Sequence, residues 1–192
     1  MKVLFINSCI RKESRTKRLA EYLISRFENV EFEFLDLNKE KISPLSRKTL
    51  EERDRAISEK NFSHPMFRYA KQFAKADIIV MAAPFWDLSF PALLRNYIEA
   101  ITVNHVTFRY SEKGIPEGLC KGEKLYYVTT AGGFIGEYDF GYSYISTMAR
   151  GMYGIKDVEC IKAEGLDIRG ADVEGILRKA EEEIDKIKNP GC

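Results

Sequence analysis

The chain has 192 residues, enough for one sizeable core and too few for two comfortable domains. Its 30 Lys and Arg nearly balance 29 Asp and Glu, leaving a formal net charge of +1, so no overall field argues for a nucleic-acid partner. Cys9, Cys120, Cys160 and Cys192 are spread without a metal-style pair and accompany only 2 histidines, which argues against structural zinc and for a reduced, cytoplasmic setting.

The N-terminus runs directly into strand-like sequence, with no cleavable leader expected before it, and no apolar run reaches bilayer-spanning length, so no membrane association is expected. Val3 to Ile6 read as a buried parallel strand. A loop rich in hydroxyls and cations follows, then a helical stripe of Leu19, Leu23, Ile24 and Phe27 within about residues 14–28. Val30, Phe32, Phe34 and Leu35 suggest a second strand ending near Asp36 and Leu37. Residues 38–62 read as an excursion containing one short polar helix over 49–59, and a further helix near 65–75 leads into the clearest buried strand, 77–83.

Pro91 is placed to open the next helix as its first-turn residue, with Leu93, Leu94, Tyr97, Ile98 and Ile101 as the apolar positions. A long connection over 102–123 precedes a strand over 124–129. Helix-like sequence around 141–151, a last strand near 158–163 and a final helix over 171–188 complete the chain, the last packing through Val173, Ile176, Leu177, Ile184 and Ile187. Strands alternating with helices predict one α/β domain over residues 1–192, a three-layer sandwich around a five-stranded parallel sheet in the order 2-1-3-4-5.

In such a sheet, ligands bind outside the carboxyl ends of the strands, where the strand order reverses. Three loops with unusual chemistry leave those ends, over 7–17, 84–91 and 129–141. The first offers the hydroxyls of Ser8, Ser14 and Thr16 beside Arg11, Lys12, Arg15, Lys17 and Arg18, with only Glu13 opposing them. Cations at a helix N-terminus oppose its dipole, and a bound anion makes their placement favourable. The loop has neither G-x-G-x-x-G nor a terminal Gly-Lys-Ser or Gly-Lys-Thr, so a terminal monophosphate fits better than a dinucleotide pyrophosphate or a nucleoside triphosphate. The plainer reading makes Ser14 and Thr16 helix caps and Arg15 a surface cation.

The second loop, Pro84-Phe85-Trp86-Asp87-Leu88-Ser89-Phe90-Pro91, sets two aromatics between prolines, where a flat heteroaromatic ring can stack and the backbone near Asp87 and Leu88 can donate to its edge. Core packing by Phe85 and Trp86, with Asp87 capping the next helix, is the plainer alternative. The third, Thr129-Thr130-Ala131-Gly132-Gly133, can pass close to another side of the same ring or simply make a turn.

In this order the motifs resemble the FMN-dependent NADH-azoreductases, also described as NAD(P)H:quinone oxidoreductases of the flavodoxin-like fold, over nearly the whole chain. Val106-Thr107-Phe108 with Lys113-Gly114, and Gly154-Ile155-Lys156 through Ala163-Glu164-Gly165-Leu166, extend the match. The resemblance implies FMN as cofactor and NADH or NADPH as co-substrate. It implies that Ser8, Ser14 and Thr16 hold the FMN phosphate, with Arg15 or Lys17 nearby. Pro84, Phe85, Trp86, Asp87 and Leu88 would line the isoalloxazine, and Thr129, Thr130, Gly132 and Gly133 its pyrimidine side. Relatives commonly carry asparagine at Asp87, where a carboxylate reaching the flavin would lower its potential.

The chemistry implied is flavin-centred, with no catalytic side chain of its own: two electrons pass in alternating half-reactions to a small quinonoid or azo acceptor. His105 and Phe108 are candidate substrate-pocket residues, and the resemblance further implies a homodimer. The alternatives are an NADPH-dependent FMN, iron or nitroaromatic reductase, and a flavodoxin-like electron carrier.

Overall fold

The computed structural model describes residues 1–187, so Cys192 and the expected end of the last helix at Lys188 lie outside the described residues. Strand β1 (Lys2–Asn7) is followed by α1 (Arg15–Ser25), β2 (Glu31–Asp36), α2 (Arg47–Ser58), a single 3-10 turn (Pro65–Phe67) and α3 (Arg68–Lys75). Then come β3 (Ile78–Ala82), α4 (Ala92–Ile101), β4 (Phe108–Tyr110), β5 (Pro116–Gly118) and β6 (Lys124–Thr130). The chain continues through α5 (Tyr142–Met148), a π-helical turn (Ala149–Tyr153), β7 (Asp157–Ala163) and α6 (Val173–Ile184).

Five strands form a parallel sheet in the order β2-β1-β3-β6-β7, the doubly wound order expected from the sequence. The period of two along each strand separates two cores. Leu4, Ile6, Ile79, Met81, Leu125 and Tyr127 face the side covered by α2, α3, α4 and α5, whereas Val3, Phe5, Ile78, Val80, Tyr126 and Val128 face α1 and α6. Burial on both sides explains the unbroken apolar runs of β1 and β3. At the sheet edge, β2 alternates Glu31 and Glu33 with phenylalanines, and exposed carboxylates there discourage pairing with a foreign strand.

Helix ends follow local chemistry. Ser46 and Thr49 form a reciprocal capping box, which starts α2 at Arg47, two residues before the start read from sequence. Pro91 is the N-cap of α4, one position ahead of the first-turn role expected for it. The connection over 102–123 carries structure that its sequence does not announce: β4 and β5 pair as an antiparallel hairpin through a turn in which Gly114 has φ 72°. Arg109 and Glu117 face each other across it at 2.9 Å. The hairpin docks where Gly118 meets the backbone of Tyr153 and Gly154, a contact that leaves no room for a Cβ.

Candidate functional site

The first loop is fastened at its base. Ser8 is fully buried, and both its N–H and its Oγ donate to Ala82 O at 2.9 Å. Asn7 Oδ1 accepts from Cys9 N at 3.1 Å, and Asn38 Nδ2 donates to Cys9 O at 2.8 Å, so β1 and the turn after β2 share the load. Burial pushes the Cys9 thiol up to about 11, which leaves it protonated and inert beneath the loop.

Ser14 caps α1, its Oγ accepting from Lys17 N at 3.2 Å. The backbone N–H groups of Arg15 and Thr16 have no protein acceptor among the described residues, as expected of a first helical turn. The basic cluster divides. Arg18 turns to Glu174 at 2.9 Å and Glu181 at 3.4 Å, and Lys17 to Glu21 at 3.5 Å, while Arg11 and Arg15 line the cleft beside the helix start.

The second loop is a tight hairpin turn. Trp86 N donates to Ser89 O at 3.0 Å and Ser89 N to Trp86 O at 2.8 Å, with Asp87 at φ 49° and Leu88 at φ 65° between them. Two consecutive left-handed residues, neither of them glycine, store backbone strain at this point. The N–H groups of Asp87 and Leu88 have no protein acceptor among the described residues, and Asp87 does not cap α4, whose start has no side-chain cap. Phe140 N donates to Leu88 O at 3.1 Å, joining this turn to the loop after β6.

Between the loops, the sheet's ladder continues past its strands. Ser8 N donates to Ala82 O at 2.9 Å, Ala83 N to Val128 O at 2.9 Å, Phe85 N to Thr130 O at 3.0 Å and Ala131 N to Ala163 O at 2.9 Å. Side chains add a further tie: the Thr16 and Thr130 hydroxyls share a hydrogen bond of 2.6 Å, buried between α1 and β6. Thr129 Oγ1, one residue earlier, is buried without a partner.

The result is a cleft of about 310 Å³ at the carboxyl edge of the sheet. Ser14, Arg15 and Thr16 form one wall, Pro84, Phe85 and Trp86 another, and Thr130 and Gly132 a third. The expected convergence of three distant loops is thus present. A fourth segment, unmarked as chemistry in the sequence, completes the cleft: Leu166 and Asp167, after β7, held by bonds from Leu166 N to Ala131 O at 3.2 Å and from Asp167 N to Gly132 O at 2.9 Å. The sequence signal was slight, a strand end followed by Gly165 at φ 77° and one carboxylate.

Several expected residues stand back from the cleft lining. Ser8 and Thr129 lie beneath it, fully or nearly fully buried, Asp87 and Leu88 project outward at the tip of the strained turn, and Gly133 borders open space. His105 and Phe108 are not among the residues that line this cleft. They follow α4, whose ten residues run about 15 Å back from the cleft edge. There, His105 N donates to Phe108 O at 2.7 Å, and the Phe108 ring packs edge-on to Tyr110 with centroids 5.3 Å apart.

Among the described residues there is no cluster of three His, Cys, Asp or Glu able to hold a metal ion, and no helix long and apolar enough to cross a membrane. The donor set suits a phosphorylated flat ring. First-turn N–H groups, the Ser14 side chain and Arg15 would face a terminal anion, and half-buried Phe85 and Trp86 an aromatic face.

A parallel sheet in this strand order, with a cleft built from its carboxyl-edge loops, defines a protein of the flavodoxin-like class. Consistent with that, a family model described as "Flavodoxin-like fold" matches residues 1–187. The FMN-dependent NADH:quinone oxidoreductase 2 of Clostridium acetobutylicum is 41% identical over 198 residues, covering 97% of this chain and 96% of that protein. A similarly described protein of Clostridium beijerinckii is 38% identical over 195 residues, with the same 97% and 96% coverage. Among solved structures, the azoreductase from Bacillus anthracis str. Sterne superposes with a TM-score of 0.85 at 25% identity, covering 96% of this chain and 97% of that one. The chain belongs to this flavodoxin-like family of FMN-dependent NADH:quinone oxidoreductases and azoreductases.

Proposed function

We propose that this protein is an FMN-dependent oxidoreductase that uses NADH to reduce small quinonoid or azo aromatics in alternating half-reactions at one site. The observation that carries this reading is the meeting, in one cleft, of an anion-competent helix start with Phe85, Trp86 and the Thr130–Gly132 backbone. When bound, FMN supplies the two-electron redox chemistry that links nicotinamide to acceptor.

The chain's own residues bind and orient. The N–H groups of Arg15 and Thr16, the Ser14 hydroxyl and the Arg15 guanidinium hold the phosphate. Ser8 supports them from below through its bonds to Ala82 O, and Thr16 passes that support to Thr130. Phe85 and Trp86 take the ring, whose edge heteroatoms accept from the free N–H groups of the Asp87–Leu88 turn. At that turn the backbone does the recognition, so the carboxylate of Asp87, where relatives commonly carry asparagine, is a minor change. The backbone of Gly132 serves the opposite edge.

The protein acts as a single FMN-binding domain and as a homodimer in the cytoplasm. Phe134, Tyr138 and Phe140 support the dimer, since they leave 77%, 62% and 57% of their surface exposed in the loop after β6. Among the described residues the cysteines at 9, 120 and 160 are free, consistent with a reducing compartment.

The test is direct. Denatured pure protein should release FMN, and the yellow holoprotein should bleach anaerobically with NADH and recover its colour with a quinone. Bleaching by dithionite but not by NADH would identify an electron carrier instead, and absence of a flavin would end the reading.

A further inference from the structure

Asp167 places a carboxylate in the same cleft as the phosphate donors. Its position is built into the backbone, because Asp167 N donates to Gly132 O at 2.9 Å and its side chain lies flat over Gly132, where a Cβ would collide with the carboxylate. Across the cleft, Arg15 Nη1 donates to Asp167 Oδ1 at 2.7 Å and approaches Leu166 O at 3.5 Å. The pair therefore joins the start of α1 to the loop after β7. The side chains are 42% and 65% exposed, so water and salt weaken the pair, and a doubly charged phosphate can compete for the guanidinium. Lys17 and Arg18 are directed to carboxylates on α1 and α6, which leaves Arg15 as the helix-start cation whose partner lies inside the cleft.

We propose that Asp167 is an internal competitor for Arg15: its carboxylate holds the guanidinium that the FMN phosphate takes on binding, and so sets how firmly the phosphate end is retained. The inference rests on the FMN reading of the cleft. Asp167 is a positioning residue that acts through Arg15. Its effect must vanish with the phosphate and with Arg15, and a merely structural role would shift every ligand alike.

The experiment loads the full chain with FMN or with riboflavin, which lacks the phosphate, and reads dissociation constants from the recovery of flavin fluorescence on dilution. Asp167→Asn should tighten FMN by up to about fivefold at low salt, the factor equivalent to the ~1 kcal/mol ceiling of an exposed ion pair. It should leave riboflavin unchanged, and high salt should erase the gain. Asp167→Ala should behave the same way. Arg15→Ala should weaken FMN alone, and Arg15→Ala/Asp167→Asn should match Arg15→Ala. An equal shift for both flavins, or no tightening of FMN, overturns the proposal. So does tightening that persists without Arg15, since Asp167 would then act on the phosphate directly. A wild-type chain that binds neither flavin fails earlier, at the cofactor reading itself.

Discussion

Replacing Thr16 with valine tests whether the two sides of the cleft are held by one hydroxyl pair. Valine keeps the shape and β-branching of threonine, so helix propensity and packing change little. What goes is the 2.6 Å bond to Thr130 Oγ1. Thr16 is 1% exposed and Thr130 9%, so the orphaned Thr130 hydroxyl meets little water. A buried polar group left unpaired costs about 1–3 kcal/mol. The slight exposure of Thr130 favours the lower half of that range. For a chain of this size each kcal/mol moves the thermal midpoint by about 2–4 °C, so Thr16→Val should lower it by roughly 2–8 °C. Thr16→Ser, which restores the hydroxyl, should recover most of the loss. In Thr16→Val/Thr130→Val no orphan remains, so the double variant should be more stable than the Thr16→Val single. Urea unfolding of the parent, Thr16→Val, Thr130→Val and the double variant supplies the cycle. Strict additivity of the two single effects would show that the hydroxyls do not depend on one another, and the reasoning would fail.

Three further outcomes follow from other sites. Gly118→Ala drives a Cβ into the backbone of Tyr153 and Gly154, and should cost about 1–3 kcal/mol while exposing the 111–114 turn to proteases; an unchanged midpoint would mean that the hairpin is not docked there. Leu88, exposed and at φ 65°, should tolerate glycine with a gain of up to about 1 kcal/mol, because relief of left-handed strain exceeds the added freedom of the unfolded chain, whereas Leu88→Val should lose stability; a valine variant as stable as the parent would deny the strain. Burial raises the Cys9 thiol from its ordinary 9.0 to about 11, so the folded form stays protonated where the unfolded form ionises. Its contribution is whole below pH 9 and is lost as pH rises through about 11, a slope that Cys9→Ala should flatten in urea midpoints taken across that window.

The strands that carry the fold were plain in the sequence, because burial on both faces writes an uninterrupted apolar run such as Ile78 to Ala82. The sheet order followed from alternation of strands with helices, and the meeting of the three loops followed from the order. Features that depend on two distant segments were hidden. Thr16 reads locally as a cap, yet its partner lies 114 residues away. Ser8 reads as a phosphate ligand, but the neighbouring strand presents Ala82 O to its hydroxyl. Asp167 is one carboxylate among many until the turn after β7 lays it on Gly132. The hairpin was missed because its strands are three residues each and one begins with Pro116, a residue that argues against a strand. At Asp87 and Leu88 the left-handed turn lacks the Asn-Gly or Asp-Gly spelling that announces such geometry.

The four backbone bonds that extend the sheet beyond its strands tie the amides of Ser8, Ala83, Phe85 and Ala131 to the most protected part of the molecule. In hydrogen exchange those protons should leave with the sheet's own, at the free energy of global unfolding. A guest entering between these walls then meets a backbone mould already formed, and the rearrangement left to it is the exchange of partners at Arg15. Discrimination among guests falls to contour and charge, and turnover is freed from waiting on the rearrangement of these walls.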